Sequence, residues 1–586
     1  MNLRRGVIAA CVGALAVLGS GIAVADHREE QRRSTLTPDA DRNGKTDIKR
    51  YLRPVPRSGF QTEALLSAGD LVQETGAPQG TRYQFVGIPD GLGATKEDLR
   101  GRNSGKDDDD DDRRPGQAKD TKVFVNHELT QATTSNPRLG RARQRGAFVD
   151  EYRLDEDGRV LTGRRAFDQE FQDDTRVDSA DSPARAFSRF CSAFLADSDE
   201  GFDRPIFLTG EETSGRVQEN GNFEADSFDR SRGSQTVAVF TNDDGRREAH
   251  ALSDFGFFAK ENTVVVPGTG KKTVAFSTED GPQTPDSQLY MYVGEKQKRG
   301  TVLQRNGLVG GKLFVFVPRN PAINSEAQFN NGTLDGRFVE IPREQRENEI
   351  ELEAAADARN AFGFVRIEDG AVGRTKNEFQ FVTTGDSSDQ TINRVGANYR
   401  LEFKRRRDPE RQRPRLSVIY NADQVAAAQR DIAFAPDNMD MVGKLQAIQE
   451  DGTASARPEY EKRDRDGSVW LVDGGGTSQR PGDFPRRKRV AFLVGRPSAR
   501  DQNPPAQAGA RDGVPTTAGV WESSGIIDVA KEFDRGRGDG FLLDVQAHKP
   551  TNAPCPGGAT FGAQCVPETV EDGQLLFLRE GNRDDD

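Results

Sequence analysis

Histidine and cysteine are scarce in this chain, with four of each among 586 residues. Few nitrogen or sulfur ligands are therefore on offer, and no Ser or Cys sits in a recognisable nucleophilic triad. Positive charge is also outweighed: 82 Lys and Arg face 94 Asp and Glu, for a formal net charge of -12. An acidic surface argues against nucleic acid as a partner, because a phosphate backbone demands clusters of Lys and Arg. It suits an exported protein or one that holds cations. Helical periodicity is nearly absent, confined to 345–360 and a shorter Ala-rich stretch at 424–430. Beyond the first 25 residues no apolar run is long enough to span a membrane. No tandem repeat declares a repeat architecture directly.

What is present reads as β-structure. Short runs rich in β-branched and aromatic residues recur along the chain, separated by turns. Examples are Lys122-Val-Phe-Val-Asn126, Thr236-Val-Ala-Val-Phe240, Lys312-Leu-Phe-Val-Phe-Val317 and Gln574-Leu-Leu-Phe-Leu578. The 61 Gly fit many tight turns, and the 34 Phe are enough to fill a large core. Strand-loop-strand recurrence without alternating helices favours an all-β fold, one large β-propeller, over a parallel-sheet fold.

The expected organisation starts with a signal peptide at 1–25. Arg4-Arg5 precede an apolar stretch that ends in Ala23-Val24-Ala25, an A-x-A cleavage site. The paired arginines leave twin-arginine export open as the route. A polar arm follows at 26–60, then the propeller at 61–580, then an acidic tail at 581–586. Insertions are expected at about 98–118, which holds the run Asp107 to Asp112, and at 474–487 and 495–517. Six consecutive Asp repel one another and lack the alternation and Gly turn of an ordered calcium loop.

Cys11 leaves with the signal peptide. Cys555 and Cys565 lie ten residues apart in a Gly/Pro-rich loop and are expected to form a disulfide in an oxidising compartment. Cys191 is then left alone: inert and buried, paired with another chain, or a metal ligand. Its surroundings favour the ligand. Among the His, His27 follows the cleavage site, His127 and His548 end strands, and His250 follows a polar turn. Each taken alone is best read as a residue satisfying a loop hydrogen bond. The carboxylates are stronger as a set. Glu211-Glu212, Glu279-Asp280, Glu368-Asp369 and Glu450-Asp451 each follow an apolar run. Four such pairs converging would repel badly without hard cations such as calcium, manganese or ferric iron between them.

At these residues the chain resembles the PhoX-type alkaline phosphatases, as a divergent member. Asn126-His127-Glu128, Ser188-Arg-Phe-Cys-Ser192, Leu208-Thr-Gly-Glu-Glu212 and Gly256-Phe-Phe-Ala-Lys-Glu261 are similar to motifs of that family. So are Glu279-Asp280, Arg366-Ile-Glu-Asp-Gly370, Pro436-Asp437-Asn438 and Glu450-Asp451-Gly452. The resemblance implies a six-bladed propeller with ferric iron and calcium on its axis. It implies Cys191, Glu212, Glu261 and Glu368 as principal metal ligands, with Asp451, Glu128 and Asp280 beside them. Arg366 would grip the substrate phosphate. The chain departs from the family pattern at Gly210, Lys260 and Ile367.

The implied activity is hydrolysis of phosphomonoesters by an exported monomer acting on small molecules. Metal ions would polarise the phosphate, and Arg366 would add a permanently charged, two-pronged contact. Two rival readings stand beside it. One is a non-catalytic, calcium-stiffened propeller that binds a partner; the other is a calcium-dependent propeller with lactonase-like or esterase-like activity.

Overall fold

The computed structural model describes residues 44–581 except 47, 101–119, 139–140, 178–185, 219, 282–285, 374–376, 387–391, 479, 481–482, 494–517, 534–539 and 549–569. The signal peptide, the Asp run, His27 and the Cys555–Cys565 pairing lie outside these residues. The fold is all-β with a few short helices. The longest, Glu349–Asp357, lies inside the periodic stretch and is capped by Asn348, whose side chain accepts from the Glu351 amide. The Ala-rich stretch contributes Ala422–Ala427. No helix among the described residues is long and apolar enough to cross a membrane.

The strands form largely antiparallel meanders, with Leu71–Glu74 and Gln169–Gln172 added in parallel to their neighbours, and six of them lie innermost. These are Pro89–Thr95, Phe190–Ala196, Lys260–Val265, Ile367–Val372, Pro436–Val442 and Glu522–Asp528. Each touches the next in chain order, and the last touches the first, so the six make a ring. Each pairs outward with a second strand: Thr121–His127, Ile206–Glu211, Lys272–Glu279, Glu378–Thr383, Leu445–Glu450 and Gly540–Ala547. Two of the inner strands are the ends of a single nine-stranded sheet that nearly closes on itself. Apolar side chains fill the spaces between neighbouring sheets. Phe124 and Phe207, from adjacent sheets, stack at 5.6 Å.

The chain after Gly44, read from sequence as part of a polar arm, is held firmly. Leu52–Pro54 adds to the edge strand Arg487–Leu493. Tyr51 is buried, packs at a tilt against Trp521 with ring centroids 4.9 Å apart, and donates its hydroxyl to Asp572 at 2.7 Å. Phe60–Ser67 then pairs with Asp572–Glu580, so an early strand completes the last sheet.

One buried ion pair anchors a strand end that matters below. Arg465 is fully buried and grips both oxygens of Glu450, at 2.7 and 2.8 Å, and also reaches Asp431 at 3.0 Å. Its guanidinium lies 4.8 Å from the Tyr460 ring centroid, and the Tyr460 hydroxyl donates to the Asp451 carbonyl at 2.7 Å. Removing one partner of such a pair strands the other charge in the core. Arg465→Ala should therefore destabilise the protein by about 3–5 kcal/mol in urea unfolding. A loss below about 1 kcal/mol would show that the pair contributes no more than a surface bridge does.

Candidate metal centre

The inner strands present one residue each by a repeated construction. The second residue is Asp90, Cys191, Glu261, Glu368 and Asp437 in five of them, and the sixth strand opens on Glu522. Each inner strand carries a register shift in its pairing to the second strand. Such a bulge re-aims a side chain, and here it falls at Asp90, Cys191, Glu261, Glu368 and Asp437, while in the sixth strand it lies beyond Glu522, between Ser524 and Ile526. Four of the inner strands are entered through a left-handed residue: Ile88, Arg189, Arg366 and Ala435, with φ between 45° and 55°.

The second strands supply another tier. The residue following each strand is Glu128, Glu212, Asp280, Thr384, Asp451 or His548. The same hydrogen bond ties the two tiers together repeatedly. The amides of Glu128, Glu212, Asp280, Thr384 and Asp451 donate to the carbonyls of Ile88, Arg189, Ala259, Arg366 and Ala435, at 2.8–3.1 Å.

This construction sorts the acidic pairs. Along extended backbone neighbouring side chains point opposite ways, so only one carboxylate of each pair can face inward. Glu211 accepts from the amides of Ser188 and Phe228. Glu279 accepts from the Gln288 amide, and Glu450 is held by Arg465. These three pin loops, while Glu212, Asp280 and Asp451 face the ring. In the fourth pair the order reverses, because Glu368-Asp369 opens the strand Ile367–Val372 and does not end one. There Glu368 faces the ring, and Asp369 accepts from Asn262 at 2.6 Å and the Met439 amide at 3.0 Å.

Three triads of candidate ligand atoms adjoin. Asp90, Glu128 and Cys191 form one, Cys191, Glu212 and Glu261 the next, and Glu261, Glu368 and Asp437 the third. Within each triad the atoms lie within 4.8 Å of one another, and Cys191 and Glu261 are shared corners. Glu261 Oε1 accepts from Ser192, but its buried Oε2 has no hydrogen-bond partner. A buried carboxylate oxygen without a donor, beside further carboxylates, is an arrangement a cation would complete. The donor set of many oxygens with one sulfur fits hard cations such as calcium and ferric iron.

Electrostatics agree. Burial, reinforced by neighbouring carboxylates, pushes Asp90, Asp437 and Asp451 far above the ordinary range. Glu212 and Glu368 are also raised, burial outweighing the pull of Arg189 and Arg366. Asp280 goes the other way: burial opposes its charge, but Arg366 overrides it. Arg366 holds Asp280 with two nitrogens, at 2.7 and 2.9 Å, and comes within 3.1 Å of Glu368. For His548, burial favours the neutral ring, yet Glu522 and Glu571 raise its pKa well above the ordinary value. His127 and His250 are buried structural residues, bonded to Asp150 at 3.0 Å and Glu248 at 3.1 Å.

A pH dependence follows for the metal-free protein. Glu261 is raised from 4.5 to about 8, chiefly by burial. A raised group keeps its proton in the folded state where the unfolded chain has released it. Its contribution to stability is full below about 4.5 and is lost as pH rises through about 8. In chelator, the thermal midpoint should fall by several degrees between pH 6 and pH 9, and added calcium and iron should remove most of that fall. A flat profile in chelator would show that the ring carries no such penalty.

Thus Arg366, Cys191, Glu212, Glu261, Glu368, Asp451, Glu128 and Asp280, all singled out from sequence, meet at one end of the inner ring. Cys191 is a buried free thiol. Asp90, Asp437, Glu522 and Arg189 were not proposed as site residues. The recurring Pro89-Asp90-Gly91 and Pro436-Asp437-Asn438 were the available signal for two of them.

Residues 207–493 match the protein family described as alkaline phosphatase PhoX. No curated protein matches the chain. Among solved structures, the Pseudomonas fluorescens PhoX complex with vanadate, a transition-state analogue, aligns with a TM-score of 0.56 at 13% identity. The alignment covers 91% of this chain and 96% of that one. Nearly half of the chain thus matches the PhoX family of alkaline phosphatases, and nearly its whole length shares the fold of a PhoX structure.

Proposed function

We propose that this phosphatase hydrolyses phosphomonoesters at a multi-metal site on the axis of a six-bladed propeller. The closed ring of six inner strands supports the propeller reading. The observation that carries the site is the run of adjoining triads with the unpartnered Glu261 oxygen at a shared corner. Cys191, Glu212, Glu261 and Glu368 are the principal ligands proposed for iron and calcium. Asp451, Glu128 and Asp280 are proposed beside them, and Asp90 and Asp437 join on their place in the triads. Ions held there would supply Lewis-acid stabilisation of the phosphate and activation of water.

The chain's own residues do the rest. Arg366 presents a planar fork that suits phosphate oxygens, and Asp280 holds that fork in orientation. On the inner strands themselves, Asn438 donates to Ser192 at 2.6 Å, Ser192 donates to Glu261, and Ser524 donates to Asn438 at 3.1 Å. This network fixes the rotamer of Glu261 before any substrate arrives. The vanadate bound by the structural neighbour is a mimic of the phosphoryl transition state, which supports the same use here. The leader-like residues 1–25 support export, and the substrate is a small-molecule phosphoester.

Protein purified without added metal should contain both iron and calcium and should turn over p-nitrophenyl phosphate. Calcium alone with no turnover would leave the calcium-stiffened binding propeller as the better account. Turnover of lactones or carboxylic esters in its place would favour the esterase-like reading.

A further inference from the structure

We infer that Arg189 is a resident cation of the centre, bridging Glu128 and Glu212 where bare carboxylates would otherwise need a metal ion. The inference rests on the reading of the ring as a metal centre. One nitrogen, Nη2 of Arg189, lies 2.6 Å from Glu128 Oε1 and 2.7 Å from Glu212 Oε2. The two carboxylates come from adjacent sheets and belong to the two triads that meet at Cys191. The guanidinium therefore links the two triads beside their shared corner, Cys191.

The backbone holds it there. Arg189 has φ 46°; its amide donates to the Leu129 carbonyl, and its own carbonyl accepts from the Glu212 amide, both at 2.8 Å. The remaining oxygen of Glu128, Oε2, accepts from Gln546 Nε2 at 3.1 Å, and the same amide reaches Asp90 at 3.2 Å. Glu128 thus has a protein donor at each oxygen. Glu261, two strands on, has a buried oxygen with none. The centre is asymmetric: its Glu128 edge is neutralised from within, while its Glu261 corner is not.

Arg366 occupies the matching position, also left-handed and two residues before a candidate ligand, here Glu368 where Arg189 precedes Cys191. It puts two nitrogens on the two oxygens of Asp280, and Nη2 also lies 3.1 Å from Glu368, so its main contact is two-pronged on one carboxylate, whereas Arg189 meets each of its two carboxylates with one nitrogen. The two arginines are therefore suited to different tasks, one to a flat oxyanion and one to holding two strand ends together. A guanidinium carries its charge at any working pH and cannot be chelated away. With it in place, the gap between Glu128 and Glu212 needs no ion of its own, and Glu212 is left to serve the ions held with Cys191 and Glu261.

The experiment compares wild type, R189Q and R189K after equilibration with calcium and iron, by elemental analysis and by thermal melting. R189Q should bind about one more calcium ion per chain than wild type, because two facing carboxylates are left to be bridged. R189K should match wild type. In chelator R189Q should melt several degrees below wild type, and calcium should close the gap. The double variant E128Q/R189Q, which removes both charges, should bind no extra ion. Equal or lower metal content in R189Q, or a chelated R189Q that melts like wild type, would overturn the assignment. If wild type binds no metal at all, the metal-centre reading fails by itself. A calcium-dependent rescue confined to R189Q would still support the role of Arg189.

Discussion

Arg366→Lys should lower turnover of p-nitrophenyl phosphate by about 100-fold or more, with iron and calcium content near wild type. The expectation rests on geometry. Arg366 reaches the centre from a left-handed position and presses two nitrogens on the two oxygens of Asp280. A tetrahedral phosphoryl group offers oxygens at a similar spacing, so the fork can engage two at once and strengthen as charge develops. Lysine keeps the charge and loses the fork. Asp280 would then also lose the two-point contact that holds it below the usual carboxylate range. A fall in both metal content and turnover would mean that Arg366 shapes the metal site itself. Unchanged turnover would place the phosphate clamp elsewhere.

Cys191→Ala should abolish iron binding and reduce turnover by more than about 100-fold while leaving the fold in place. Cys191 is the shared corner of two triads, so its loss breaks both. In the metal-free fold its thiol is pushed well above its ordinary pKa by burial and by Asp90 and Glu261. That environment makes a bare thiolate costly, whereas a bound cation would favour it. Sγ already lies 3.2 Å from Asp90. An inert buried Cys predicts a different outcome, a stability loss of about 1–3 kcal/mol with metal and activity intact. Elemental analysis beside a urea titration separates the two.

The strands were legible because β-branched and aromatic residues cluster wherever the chain runs between packed sheets. Thr236–Thr241 and Lys312–Pro318 are examples, buried along most of their length. Inward and outward carboxylates were harder to separate. Glu211 and Glu212 carry the same chemistry, and only the strand's phase relative to the ring decides which one pins a loop. The bulges decide that phase, and they leave no mark in composition. Asp90 and Asp437 escaped for a related reason. Proline before Asp and Gly or Asn after it is turn chemistry, and nothing local shows that the Asp opens an innermost strand. Arg189 was inside a segment already quoted for its Cys. Its role depends on Glu128 and Glu212, which are distant in sequence and adjacent in space.

The pairing of Phe60–Ser67 with Asp572–Glu580 also has a bearing on how the molecule is made. Its two halves are separated by nearly the whole length of the chain, so this contact is among the most non-local in the protein. Closing it brings together the two ends of a very long stretch of chain, a cost that contacts within the intervening sheets can only partly offset. Until residue 580 has left the ribosome, Phe60–Ser67 remains an unpaired edge rich in apolar groups, as does Gly540–Ala547 on the other flank. Exposed edges of this kind recruit other chains. Refolding from denaturant is therefore expected to be slow and concentration-sensitive, with yield falling as protein concentration rises.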